Sequence, residues 1–236
     1  MHTARIVDMN SVKRMFPSPL FRAMRWVRRR RQISLPQQID ASCRETEIFW
    51  NDEFADLLET WGANNAWNEL LFLFAGRTGR VLDIGCGVGV AISLLDRFSK
   101  LEAWGFDLSE KLVNRAVQRG VGTGRLTIGE ATKMPFADAS FAWGYTLGML
   151  HYLTDEEIIK VLRECDRVVI GSTFHQIPVD RQGNDMGWVK TFQTVQNNSL
   201  AWWEAKFRSV YPSVEILDSS WADDMSLGKW AICNRG

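Results

Sequence analysis

Nine residues constrain this chain more than any others: Val81-Leu82-Asp83-Ile84-Gly85-Cys86-Gly87-Val88-Gly89. Val81, Leu82 and Ile84 predict a buried strand. Glycine at every second position predicts a tight turn, and an apolar helical pattern follows. Strand, glycine turn and helix together build a ligand site at the carboxyl end of a strand in an open α/β sheet. Without Cβ atoms, the backbone N–H groups can approach a ligand closely. The helix turns its positive end to the same spot, which suits a carboxylate or phosphate. Asp83 stands two residues before the first glycine. A second strand ends at Asp107, about 20 residues on, where a nucleotide fold places a ribose-binding carboxylate. Val90 occupies the position of the third glycine of a dinucleotide fingerprint, which argues against NAD.

From Arg80 onward, strand and helix alternate, as in a parallel sheet with helices on both faces. Strands are expected at 80–84, 101–107, 125–129, 141–147 and 167–172, with helices at 89–98, 110–119 and 155–164 between them. Ser109 reads as one N-cap, and Thr154-Asp155-Glu156-Glu157 as a capping box. Residues 173–198 lack periodicity and read as a long connection, more often functional than idle. A helix at 199–209 and an antiparallel pair at 214–220 and 229–234 close the chain. Ahead of the sheet, 45–75 reads as helical. Phe49, Trp50, Phe54, Leu57, Leu58 and Trp61 recur at three-to-four spacing, and Trp67, Leu70 and Phe74 resume it after Gly62. This stretch packs on the sheet or forms a lid in which Asn64 and Asn65 join the tryptophans.

Charge divides the chain. Residues 1–40 hold nine Arg or Lys and two Asp, leaving 19 basic and 26 acidic residues elsewhere. Within 20–31, Leu20, Met24 and Val27 alternate with arginines at helical spacing. That pattern suits a solvated arm, an anionic membrane surface or nucleic-acid phosphates. Three segments follow: a basic arm (1–44), a helical lid or cap (45–77) and the α/β domain (78–236). There is no apolar run of roughly 18 residues and no apolar leader, so a cytoplasmic protein is expected, with contact at the inner face of a membrane as its alternative. Cys43, Cys86, Cys165 and Cys233 are scattered, and the three histidines equally so, which predicts neither a disulfide framework nor a metal centre.

The motifs together resemble the class I S-adenosylmethionine (SAM) methyltransferases, in their metabolite-methylating branch. The glycine turn matches the family's first motif, and Gly105-Phe106-Asp107-Leu108-Ser109 its strand-two acidic motif. Gly129-Glu130-Ala131-Thr132-Lys133-Met134-Pro135-Phe136 resembles "G-D-A-x-x-L-P-F", and Ser140-Phe141-Ala142 through Leu150-His151 resembles "S-F-D … L-H". The resemblance implies a Rossmann-like, doubly wound sheet of seven strands, mostly parallel with the last antiparallel, plus N-terminal helices. It implies SAM as cofactor and S-adenosylhomocysteine as product. Gly85, Cys86, Gly87 and Gly89 would run along the methionine part, and Asp83 would serve its ammonium group. Asp107, with Leu108 beside it, would take the ribose, and Glu130 and Ala131 the adenine. Thr146 and Leu147 would close the methionine end.

Two departures stand out. Ala142 replaces the usual Asp, and Glu130 replaces the commoner Asp. No Asn/Asp-Pro-Pro-Tyr/Phe segment follows the fourth strand, which argues against DNA as the acceptor. The expected activity is methyl transfer to a small-molecule, glycan or lipid-linked acceptor, with a hydroxyl as first choice. His151 and His175 are the candidate general bases, because imidazole titrates near neutral pH. Tyr145, Asp180 and Arg181 are weaker candidates for substrate contact. A SAM-binding sensor without transfer activity is the alternative, supported by Ala142. The oligomeric state stays open.

Overall fold

The computed structural model describes residues 51–61, 65–191 and 193–235. The basic arm with its 20–31 segment, residues 45–50, Gly62 and Asn64 lie outside the described residues.

Two short helices come first, α1 (Asp52–Leu58) and α2 (Ala66–Leu73). Each starts at an asparagine that accepts a backbone N–H: Asn51 from Phe54 at 2.8 Å and Asn65 from Ala66 at 2.7 Å. Alternation then runs through β1 (Thr78–Ile84), α3 (Val90–Phe98), β2 (Lys100–Asp107), α4 (Glu110–Gln118), β3 (Leu126–Ile128) and β4 (Trp143–Leu147). It continues through α5 (Asp155–Val168), β5 (Thr173–Asp180), the small pair β6 (Trp188–Lys190) and β7 (Thr194–Gln196), α6 (Leu200–Arg208), β8 (Ser213–Ala222) and β9 (Ser226–Asn234).

Seven strands form one sheet in the order β3-β2-β1-β4-β5-β9-β8. The first five are parallel to their neighbours, and β9 runs antiparallel between β5 and β8. The expected seven-stranded sheet is therefore present. The order switches direction between β1 and β4, and the crevice beyond their carboxyl ends is where such sheets bind ligands. Buried apolar side chains cover both faces. Phe106, Ile158, Leu162, Ile177 and Trp203 lie in one cluster, and Leu70, Phe74, Ile92, Tyr145 and Phe174 in the other.

The capping box at Thr154 forms, with the Thr154 N–H donating to Glu157 at 2.7 Å and the Glu157 N–H to the Thr154 hydroxyl at 3.3 Å. Its helix runs past the expected end at 164. Ile158, Val161, Leu162, Cys165 and Val168 continue one apolar stripe, so α5 reaches Val168. The fifth strand consequently lies at 173–180, not 167–172. It is buried at every position, because β4 pairs on one edge, β9 on the other, and helices and loops cover its faces. A strand buried on both faces shows no alternation, and its His, Gln and Asp residues disguised it as a loop. The connection at 173–198 therefore contains that strand and the β6–β7 pair.

Candidate active site

The glycine turn sits where β1 ends, beside the end of β2. The Gly85 and Cys86 N–H groups both donate to the Phe106 carbonyl at 3.0 Å, folding the turn against β2. The Gly87 N–H donates to Asp107 Oδ2 at 2.9 Å, and the Ser109 N–H to Asp107 Oδ1 at 2.9 Å. Asp107 thereby ties the turn to the start of α4, where Ser109 caps the helix. In register with Gly105 and Tyr145, Asp83 lies two residues before the turn's first glycine.

Asp83 and Asp107 both line a narrow cavity of about 80 Å³ together with Gly85, Cys86, Gly87 and Leu147. No Lys, Arg or His lines it among the described residues. Burial pushes the Asp83 carboxyl up to about 8; the Tyr145 hydroxyl pulls it back and the Asp107 charge pushes it further. That hydroxyl is buried and makes no hydrogen bond of normal geometry, so its help to Asp83 is slight. Burial also raises Asp107, against the opposing backbone N–H bonds. Two buried carboxylates without a cation form a site that a positively charged, hydroxyl-bearing ligand would complete.

A second cavity, of about 250 Å³, adjoins the first. Phe54, Leu58, Trp61, Gly148 and Tyr152 line both, so they form the shared wall. Three of these five come from α1 or the turn just after it. Phe54 and Leu58 press on Val88, Val90 and Leu112 beneath. Ligand pockets commonly reach about 300 Å³ or more, so with α1 in this position the narrow cavity is small for a nucleoside.

Ion pairs join α1 and the turn after it to α4. Lys111 pairs with Asp52 and Arg115 with both Asp56 and Glu59, all at 2.8 Å, and Arg119 reaches Glu59 at 3.1 Å. Arg115→Glu sets a carboxylate against Asp56 and Glu59. It is expected to speed dissociation of a bound nucleoside ligand by about tenfold, measured by stopped flow, with raised salt acting in the same direction on the parent protein. An unchanged off-rate would show that α1 is not the gate.

The other expected site residues divide. Thr146 is fully buried, and its hydroxyl meets His175 Nδ1 at 2.9 Å on the far side of the sheet. Glu130 and Ala131 follow β3 at the same carboxyl edge, where the Gly129 N–H donates to the Asp107 carbonyl at 3.0 Å. Glu130 is exposed and accepts from the Thr132 hydroxyl. Leu108 stands 59 % exposed beside Asp107. None of these four lines the narrow cavity.

The two histidines part company. His151 lines the larger cavity, and its Nδ1 is buried without a partner. Burial pushes its pKa down to about 4, so the ring is neutral at neutral pH. His175 is withdrawn from both cavities, which corrects the expectation of a general base there. Its Nδ1 is used by Thr146 and its Nε2 by Thr173 at 2.9 Å, and its ring stacks on Phe207. Burial holds it down at about 3. Asp180 is also structural, accepting from the Gln182 and Asn184 N–H groups at 3.0 Å and from Asn197 Nδ2 at 3.1 Å. Arg181 is exposed and donates to the Asp223 carbonyl at 2.8 Å.

Sequence reasoning missed Gln176, Tyr152 and Trp221. All three line the larger cavity. The available signal was the Gln- and Asn-rich composition of 173–198, which marked the segment without picking out the residue.

Residues 81–170 match the family model described as "Methyltransferase domain". A 27-O-demethylrifamycin SV methyltransferase from Amycolatopsis mediterranei (strain S699) is 31 % identical over 134 residues, 52 % of this chain and 48 % of that protein. The chain thus spans about half the length of that curated relative. Among solved structures, the PH0226 protein of Pyrococcus horikoshii OT3 aligns with a TM-score of 0.58 at 17 % identity, over 84 % of this chain and 97 % of that one. The [4+2]-cyclase SpnF aligns with a TM-score of 0.55 at 18 % identity, over 71 % of this chain and 81 % of that one. A fold shared with a cyclase leaves the reaction open. The matched segment, its glycine turn and the sheet order together make residues 81–170 similar to a methyltransferase domain.

Proposed function

We propose that the chain transfers a methyl group from SAM to a hydroxyl of a small molecule held in the larger cavity. The observation that carries this reading is the pair of adjoining cavities with one shared wall. One holds two buried carboxylates; the other is larger, mostly apolar and contains a neutral imidazole.

The residues of the narrow cavity fit the cofactor. Asp83 lacks a cation, and the ammonium of the methionine part provides one. Asp107 keeps lone pairs beyond its two backbone bonds, and ribose hydroxyls donate to such oxygens. Glu130 and Ala131, next along the edge, would meet the adenine, with Leu108 against its face. Thr146 and Leu147 would contribute backbone at the methionine end, Leu147 also lining the cavity. When bound, SAM supplies an electrophilic methyl group, whose bond to the acceptor oxygen forms as the sulfur–methyl bond breaks and leaves its electron pair on sulfur.

The protein's own work is then placement and proton removal. Closing α1 over both cavities excludes water and holds the reacting atoms together. His151 accepts the hydroxyl proton at Nε2, the ring being unprotonated at neutral pH because burial depresses its pKa. A catalytically silent sensor had Ala142 as its support. That residue stands just before β4, whose other end meets the cavities, and it lines neither of them. The larger relative named above methylates an oxygen, by its name, and that also favours a hydroxyl acceptor.

Calorimetry with S-adenosylhomocysteine is the direct test, with NADH as control. Asp107→Ala is expected to weaken S-adenosylhomocysteine binding at least about tenfold, since a charge-assisted bond to a ribose hydroxyl is lost. Equal binding by variant and parent, or tighter binding of NADH, would sink the reading.

A further inference from the structure

Gln176 is 2 % exposed, lines the larger cavity, and leaves its amide nitrogen buried without a hydrogen-bond partner. Folding such an amide away unpaired is costly, so a ligand oxygen is the group that would repay its burial. Thr191, Gln193, Gln196 and Ser226 add neutral polar groups to the lining. No Lys or Arg lines this cavity among the described residues, so an anionic acceptor would find no counter-charge. Asp223 is its one carboxylate, and Oδ1 already accepts the Met225 and Ser226 N–H groups at 2.8 and 2.7 Å.

The remaining wall is apolar and partly flat. Trp61 and Trp221 meet edge to face, with ring centroids 6.1 Å apart and planes at 86°. That corner offers one ring to stack on and a second to meet edge-on, the two arrangements aromatic pairs prefer. Leu57, Leu58, Pro178, Val195 and Met225 fill out the lining. A sugar carries hydroxyls around its whole rim, and these side chains would leave several of them unpaired. A planar ring system with few oxygens meets the same surface without that cost.

We propose that this cavity selects an uncharged, hydroxylated aromatic acceptor, with Gln176 binding one of its oxygens and the Trp61–Trp221 corner receiving its ring. The proposal rests on the methyl-transfer reading and names the acceptor class for it. Gln176 thereby sets specificity, while His151 takes the proton.

The test is calorimetry on the full chain saturated with S-adenosylhomocysteine. The probes are 1,5-dihydroxynaphthalene, 1-naphthoate, 1-naphthylmethylammonium and methyl glucoside. The diol is expected to bind at least about tenfold more tightly than the other three. Gln176→Leu should lose about tenfold of that affinity, and Trp221→Ala a similar amount, with S-adenosylhomocysteine affinity unchanged in both as the check that the fold survives. Three outcomes overturn the proposal: a charged probe or the glucoside binding as tightly as the diol, the diol binding equally to Gln176→Leu, or no probe binding at all. Failure of the parent protein to bind S-adenosylhomocysteine removes the methyl-transfer reading and this proposal with it. Intact cofactor binding without preference for the diol overturns the acceptor class alone.

Discussion

An Asp83→Asn variant is expected to melt higher than the parent when ligand-free and to lose S-adenosylhomocysteine binding. Asp83 is 2 % exposed, and burial pushes its carboxyl up to about 8 from an ordinary value of 3.8. A carboxyl raised on folding favours the native state below its unfolded pKa, and that contribution is lost as pH rises through the folded pKa. Between about pH 4 and 8 the unfolded chain loses this proton while the folded one keeps it, so stability falls by up to about 1.4 kcal/mol per pH unit. Asparagine removes that cost, so the gain should be smallest near pH 4 and largest at pH 8 and above.

The buried histidines act in the opposite sense. Both have pKa values lowered by burial, so they favour folding above the unfolded histidine pKa of about 6.5 and destabilise on acidification below it. Above pH 6.5 they are silent and the two buried acids remain. The buried thiols, also raised by burial, are common to both proteins, so the difference in melting between variant and parent at pH 7 and 8.5 reports Asp83. A rise of only 1 kcal/mol corresponds to about 2–4 °C in a protein of this size. Ligand should stabilise the parent and leave the variant unmoved. A variant that melts lower at pH 8.5, or binds ligand normally, would break the link between Asp83's burial cost and its function. The expected trade of stability for affinity is what perturbed groups at functional sites lead to.

Gly89→Ala is expected to be the most damaging single change in the turn. Gly89 precedes α3 with φ +73°, a conformation costly for residues with a Cβ. An added Cβ would stand 2.9 Å from both Ala116 Cβ and Val121 Cγ2, in the core between α3 and α4. Strain of about 1–2 kcal/mol and overpacking of about 1–3 kcal/mol combine, lowering Tm by roughly 5–15 °C. Gly120→Ala separates the two causes. Its φ is +95°, yet nothing lies within 4 Å of the added carbon, so strain alone remains. Thermal melts that rank Gly120→Ala as equal to Gly89→Ala would show that packing beneath the turn contributes nothing.

The local chemistry of the chain was sufficient for the frame of the fold. Gly85 to Gly89 announced a turn, Thr154 and Glu157 a helix start, and the alternation after Arg80 a parallel sheet. These signals are local, because the backbone conformation they require depends on residues within a turn or two. Position along the sheet was also legible: Asp83 and Asp107 were expected at the carboxyl edge, and both line one cavity there.

What the sequence left undecided was which way side chains face in the fifth strand. His175 and Gln176 are neighbours, and chemical habit pointed to the histidine. Successive residues of a strand face opposite sides. Tertiary pairing of β5 with β4 and β9 sets that alternation, turning His175 onto Phe207 and Gln176 into the cavity. The placing of α1 is likewise tertiary, since Asp52, Asp56 and Glu59 find Lys111, Arg115 and Arg119 across more than 50 residues of chain. Residue identities supplied the carboxylates, the glycines and the tryptophans. Only the assembled sheet determined which of them share a cavity, because facing is fixed by contacts between segments far apart in the chain.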